Sequence, residues 1–164
     1  MSTPPTPMAF RQRAAAYVLR SSPGRPVEVL VLVHRDHPEA GVQVPGGGAH
    51  PNETPAEAAV RETVEETGVR GAVFAEVLGN TLLRTPGSFE GVQVTTYSWL
   101  STEDPRDAWD HTIVSDDGDH GIRMRCEFRP AASAAIDWGH DRFLPQAVAR
   151  HAAARGRQGL DLLG

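Results

Sequence analysis

Apolar positions in this chain come in three patterns. From Arg13 to Leu19 the run RAAAYVL can be the first strand, and from Val27 to Val33 they run almost without a break, the mark of a strand covered on both faces in mid-sheet. Ser21–Pro26, with two prolines and a glycine, is the turn between them. Ala72–Leu83 and Val92–Leu100 are two further strands of a meander, separated by the turn-rich TPGSFEG. Ile122–Arg129 alternates strictly, placing Ile122, Met124, Cys126 and Phe128 inside and Arg123, Arg125, Glu127 and Arg129 outside. Helical spacing governs the third pattern, at Pro55–Thr67 and again from about Asp141 to Ala154, where Phe143, Leu144, Ala147 and Val148 face inward. The pattern predicts a mixed α/β domain over residues 11–155, a disordered Pro/Thr-rich stretch over 1–10 and a flexible Arg/Gly tail over 156–164.

The first helix is bounded by local chemistry. Thr54, Pro55 and Glu57 form a capping box with proline at the first helical position, and Gly68 supplies the left-handed stop. Ala56, Ala59, Val60, Thr63 and Val64 form its apolar stripe, expected to face the core. Glu62, Glu65 and Glu66 then project together from the other side.

Three carboxylates on one face repel and raise each other's proton affinity. A hard divalent cation, Mg²⁺ or Mn²⁺, removes that penalty. An isolated acidic run of this kind is usually a solvated helix face, but two neighbours change the reading. Gly46, Gly47 and Gly48 precede the helix, and glycine lets a backbone approach a ligand closely or turn through positive φ. Glu53 just outside the helix pairs with Arg61 within it, tying loop to helix.

Composition narrows the partners. The chain has 164 residues, a net charge of −5 and no lysine, all 16 basic residues being arginine. That excludes a P-loop and argues against nucleic acid or an anionic membrane as partner. Cys126 is the only cysteine, no segment approaches a membrane span, and the N-terminus lacks a signal-peptide layout; a cytoplasmic location is expected, with a homodimer left open. Arg35, Arg123 and Arg125 are candidates to meet an anionic substrate. His34 and His37 form a polar loop without a third metal ligand. Glu103–Asp110 is an acidic loop carrying Trp109. Asp116–Gly121 is a hairpin turn and not a calcium loop, because Gly118 and His120 occupy the third and fifth positions.

The stretch from Gly47 to Val69 resembles the Nudix box: Gly47, Glu53, Arg61, Glu62, Glu65, Glu66 and Gly68 stand at its fixed spacings, with Thr63 where an aliphatic residue is usual. The resemblance implies an α/β/α sandwich with a mixed β-sheet between helices. It implies a pyrophosphohydrolase that cleaves a diphosphate linkage in a nucleoside diphosphate derivative such as a nucleotide, a nucleotide sugar or ADP-ribose. Carried over, Glu65, Glu66 and the Gly46 carbonyl hold metal, Glu62 is a ligand or the base, and Glu53 with Arg61 orients the set. The other candidate bases are Asp107, Asp116, Asp117, Asp119 and Glu127. The alternative reading is a nucleotide sensor on the same scaffold that does not cleave.

Overall fold

Two central strands with unbroken apolar runs organise the molecule. In the computed structural model, which describes residue 2 and residues 9–85 and 91–161, these are β1 (Ala9–Arg20) and β2 (Glu28–His34). Around them lie β3 (Gly46–Gly48), α1 (Pro55–Thr67), β4 (Val73–Thr85), β5 (Gly91–Ser101), β6 (Ala108–Thr112), β7 (Arg123–Pro130) and α2 (Leu144–Asp161). The strands form one mixed sheet in the order β4-β5-β1-β2-β7-β6, with β3 attached to β1. β1 and β5 run parallel over their whole length, and the other pairs are antiparallel.

Burial on both faces explains the continuous apolar runs. Ala14, Ala16, Val18, Leu30, Leu32 and Leu100 meet α1 through Ala58 and Ala59. Ala15, Tyr17, Leu19, Val29 and Val31 meet α2 through Leu144 and Ala147. The sheet is thus sandwiched between the two helices, as expected, and truncating a buried leucine such as Leu30 to alanine costs about 2–5 kcal/mol.

Several boundaries move. β1 begins at Ala9, two residues before the expected domain start, because Ala9–Gln12 pair with Gly91–Val94. That pairing is set by backbone geometry, not by apolar content. α2 continues to Asp161, so residues 156–161 are helical and not a flexible tail. Gly156 and Gly159 are tolerated among alanine, arginine and glutamine, which favour helix. The acidic loop ends earlier than expected, since Ala108–Asp110 belong to β6 and Trp109 is buried. The hairpin turn between β6 and β7 stands where the sequence places it. Residues 1, 3–8 and 162–164 and most of the TPGSFEG turn lie outside the described residues. Among the described residues no helix is long and apolar enough to cross a membrane.

Candidate metal and catalytic centre

The helix ends are built as the local sequence requires. Thr54 Oγ1 accepts from Glu57 N at 3.1 Å, and Gly68 closes the helix at φ 62°. Three contacts then fix the C-terminal end: Trp109 Nε1 donates to Thr67 O (2.6 Å), Arg106 Nη2 to Gly68 O (3.1 Å), and Arg70 N to Asp104 Oδ2 (2.9 Å).

The buried face of α1 differs from the expected stripe. Ala58, Ala59, Glu62, Thr63, Glu66 and Thr67 are buried, while Val64 is 51% exposed and Ala56 and Val60 are only half-buried. Glu62 and Glu66 therefore sit on the inward face, and Glu65 beside it is half-buried. A hydrophobicity pattern assigns glutamate to water, so it rotates the helix the wrong way. Thr63, fully buried, has a hydroxyl with no partner among the described residues.

What lets carboxylates enter is the glycine segment. None of Gly46, Gly47 and Gly48 has positive φ; their role is close approach. A Cβ on Gly47 would lie 2.5 Å from the Glu62 carboxyl, and one on Gly46 would lie 2.6 Å from Ala14 O. Ala16 N donates to Pro45 O and Ala49 N to Gln12 O. By the alternation of an antiparallel ladder, Pro45 and Ala49 point their backbone groups toward β1, and Gly46 and Gly48 point theirs away. Accordingly Gly46 N reaches Glu66 Oε2 at 3.4 Å and Gly48 O accepts from Arg61 Nη2 at 2.9 Å. The Gly46 carbonyl lies on the same side.

Arg61 is the hub. Its Nε and Nη2 grip Glu53 in a fork (2.7 and 2.9 Å), and its Nη1 donates to Glu62 (3.0 Å) and Glu65 (3.1 Å). This partner holds the Glu53 carboxyl down to about 2. Glu66 behaves oppositely. Burial first, and then the Glu62 charge, push its carboxyl well above the usual range. Glu62 is raised as well, by burial, against the pull of Arg61. One arginine thus serves three glutamates and leaves Glu66 out, and the two buried ones, Glu62 and Glu66, have proton affinity to spare.

The β6–β7 turn adds a fifth acid. Glu62, Glu65 and Asp117 each offer an oxygen within 4.8 Å of the others, and His50 Nε2 lies 3.6 Å from Asp117 Oδ2. Asp119 on the same turn adds negative charge near Glu66. A hard divalent cation fits this donor set, which is all oxygen, anionic in excess, and walled by a glycine that leaves no room for a side chain. Asp117 is foreseeable from sequence only as one of several acids in the DDGDHG turn. No spacing rule joins it to the helix.

The arginine candidates lie elsewhere. Cys126 and Met124 face α1, so Arg123 and Arg125, alternating with them, face the opposite side of the sheet. There Arg123 pairs with Asp36 (2.7 Å), and Arg35 (2.5 Å) and Arg125 (3.5 Å) both pair with Asp110. The structure does not bring these three together with the carboxylates. Glu127 pairs with Arg129, and Asp107 with Arg20, so neither faces the cluster.

Comparison with known proteins agrees with this geometry. A match to the NUDIX domain spans residues 10–147. Diphosphoinositol polyphosphate phosphohydrolase 3-beta of Bos taurus is 45% identical over 74 residues, which is 45% of this chain and 43% of that protein. The 3-alpha protein of Homo sapiens is 46% identical over 65 residues, 40% of this chain and 38% of that protein. The chain spans less than half the length of these curated relatives. Among solved structures, an Ap4A hydrolase of C. elegans in a binary complex superposes with a TM-score of 0.59 at 18% identity, covering 89% of this chain and 98% of that one. A MutT protein from Methanosarcina mazei Go1 gives 0.55 at 15%, covering 90% and 99%. At such identities the likeness is one of fold.

Proposed function

The chain belongs to the NUDIX family, and from that premise we propose that it hydrolyses a diphosphate linkage in a nucleoside diphosphate derivative by attack of water at phosphorus. The observation that carries this reading is the cluster of Glu62, Glu65 and Asp117 within 4.8 Å, beside buried Glu66.

In this reading Glu62, Glu65, Glu66, Asp117 and the Gly46 carbonyl hold Mg²⁺ or Mn²⁺. The bound ion neutralises diphosphate oxygens and lowers the pKa of water. The chain's own residues do the rest. Arg61 spaces Glu62 and Glu65 and locks Glu53, so the helix and the glycine strand keep one geometry. Glu62 or Asp117 takes the proton from the attacking water, and burial suits Glu62 to that work by raising its proton affinity. Positioning and charge supply most of the rate. A cytoplasmic location belongs with this reading, supported by the single buried, unbridged Cys126.

The test is a panel of nucleoside diphosphate derivatives, with diphosphoinositol polyphosphates included because of the relatives' names. Purified protein with Mg²⁺ or Mn²⁺ is expected to release phosphate products from at least one compound, and chelator is expected to stop it. Turnover on none of them with either ion, turnover on the diphosphoinositol polyphosphates alone, or turnover that survives chelation overturns the proposal.

A further inference from the structure

At the far end of β5, a cavity of about 510 Å³ opens between α2 and the loop that follows Ser101. That volume lies within the range of small-molecule pockets, about 300–1,000 Å³. Its walls include Arg70, Trp99, Glu103, His151 and Arg155, none of which belongs to the carboxylate cluster.

Trp99, 7% exposed, contributes its ring to the wall, with its indole Nε1 closed off from the cavity. One feature of these walls is unexplained by the fold. Arg70 and Arg155 both line the cavity, and neither has a carboxylate within ion-pair distance among the described residues. Arg155 makes only a long contact, 3.5 Å, to Ser21 O. The acid that might have served them is taken: Asp104 is paired with Arg106 at 2.7 Å.

The remaining groups narrow the ligand. His151, 2% exposed, packs edge-on against Trp99 (5.6 Å, 83°) and bonds through Nε2 to Ser21 Oγ at 2.7 Å. Burial holds it below the usual histidine range, and so neutral. Two arginine forks suit a phosphate, while Glu103 at the rim repels a bare anion and accepts from hydroxyl or amino groups.

We propose that this cavity binds a small phosphate monoester carrying hydroxyl or amino donors, of the nucleoside monophosphate or sugar phosphate class. Arg70 and Arg155 take the phosphate, Glu103 the donors, and the Trp99 ring forms part of the wall beside them. The proposal does not depend on the hydrolytic reading. The occupant does touch the bracket that holds the end of α1, because Arg70 N donates to Asp104 (2.9 Å) and Thr102 Oγ1 to Arg70 O (2.6 Å).

The experiment titrates the full chain, with chelator present, with AMP, ribose 5-phosphate and inorganic phosphate in turn. Indole N–H signals are followed by ¹H–¹⁵N spectra, and Trp99→Phe assigns the resonance. AMP or ribose 5-phosphate is expected to move the Trp99 signal saturably, with inorganic phosphate weaker by about tenfold or more. A response to AMP alone assigns the ligand as a nucleotide, and a response to both assigns the sugar phosphate as the recognised part. Arg70→Gln/Arg155→Gln, at two exposed positions, is expected to weaken binding by about tenfold or more. Glu65→Gln is expected to leave it unchanged. No saturable shift, equal binding of inorganic phosphate, or an arginine variant that binds like the parent overturns the proposal.

Discussion

Two charged regions of this molecule have similar density and opposite character. On the outer side of β2, β6 and β7, Arg35, Asp36, Asp110, Arg123 and Arg125 form a lattice in which every charge has an opposite neighbour and water has access to all of them. On the α1 side, one arginine faces four glutamates and an aspartate, and two of the glutamates are buried. Exposed, balanced pairs are cheap to make and contribute little. Buried, unbalanced charge is costly and persists only where something beyond the chain compensates it. Charge density alone therefore does not mark a site; the mismatch between burial and balance does.

The largest expected effect comes from removing the imbalance. Glu65→Gln/Glu66→Gln should cut metal-dependent turnover by about 10³-fold or more, since several kcal/mol of transition-state charge stabilisation go with it. Steady-state kinetics with Mg²⁺ decides it, and a double variant that keeps its rate places the metal elsewhere. Asp117→Asn comes next, with a loss of about 10²-fold if the turn carboxylate is ligand or base. Full activity in that variant would return both roles to α1, with Glu62→Gln as the remaining candidate to try.

Gly47→Ala tests the cradle and not its charge. With a Cβ 2.5 Å from the Glu62 carboxyl, β3 or α1 must shift, which costs about 1–3 kcal/mol of stability. Denaturant unfolding measures this. Gly48→Ala, where nothing lies within 4 Å of the built Cβ, is the matched control.

That pair of glycines also shows what the sequence can and cannot reveal. The helix ends at Thr54 and Gly68 are legible because cap chemistry is decided within four residues. The inward turn of Glu62 and Glu66 is not, because periodicity counts every carboxylate as outward and cannot see the side-chain-free space beside Gly47. Nor is the parallel pairing of β1 with β5, a contact across about half the chain that no local signal records. Asp117 reaches the cluster only because β6 pairs with β7 in one register, so its place is a property of the sheet.

In metal-free protein the same imbalance should show as a pH slope. Glu62 and Glu66 have folded values above their unfolded ones, so their stabilisation is complete below the ordinary carboxylate range and is lost as pH rises through the folded values. Glu53 works in the other direction, stabilising above its unfolded value and losing that as pH falls through about 2. Thermal midpoints without metal should therefore decline as pH rises above the ordinary carboxylate range, and Glu66→Gln or added Mg²⁺ should flatten the decline. A flat profile in the parent protein would mean that Arg61 already balances the cluster.

The smallest effect is expected on the other face, and it is the sharpest test of the contrast. Arg123→Gln removes a 2.7 Å pair with Asp36, but both groups are solvent-exposed and Asp36 keeps water as its partner. The thermal midpoint and turnover should match the parent within measurement, and added salt should leave even a small difference smaller. The variant also separates two readings of the arginines. If Arg123 met the substrate, KM would rise while the midpoint stayed put, because a guanidinium fork on a phosphate is lost with no change in the fold. A rise of about tenfold in KM would make the balanced lattice part of the site after all, and burial with imbalance would cease to be the rule that tells the two regions apart.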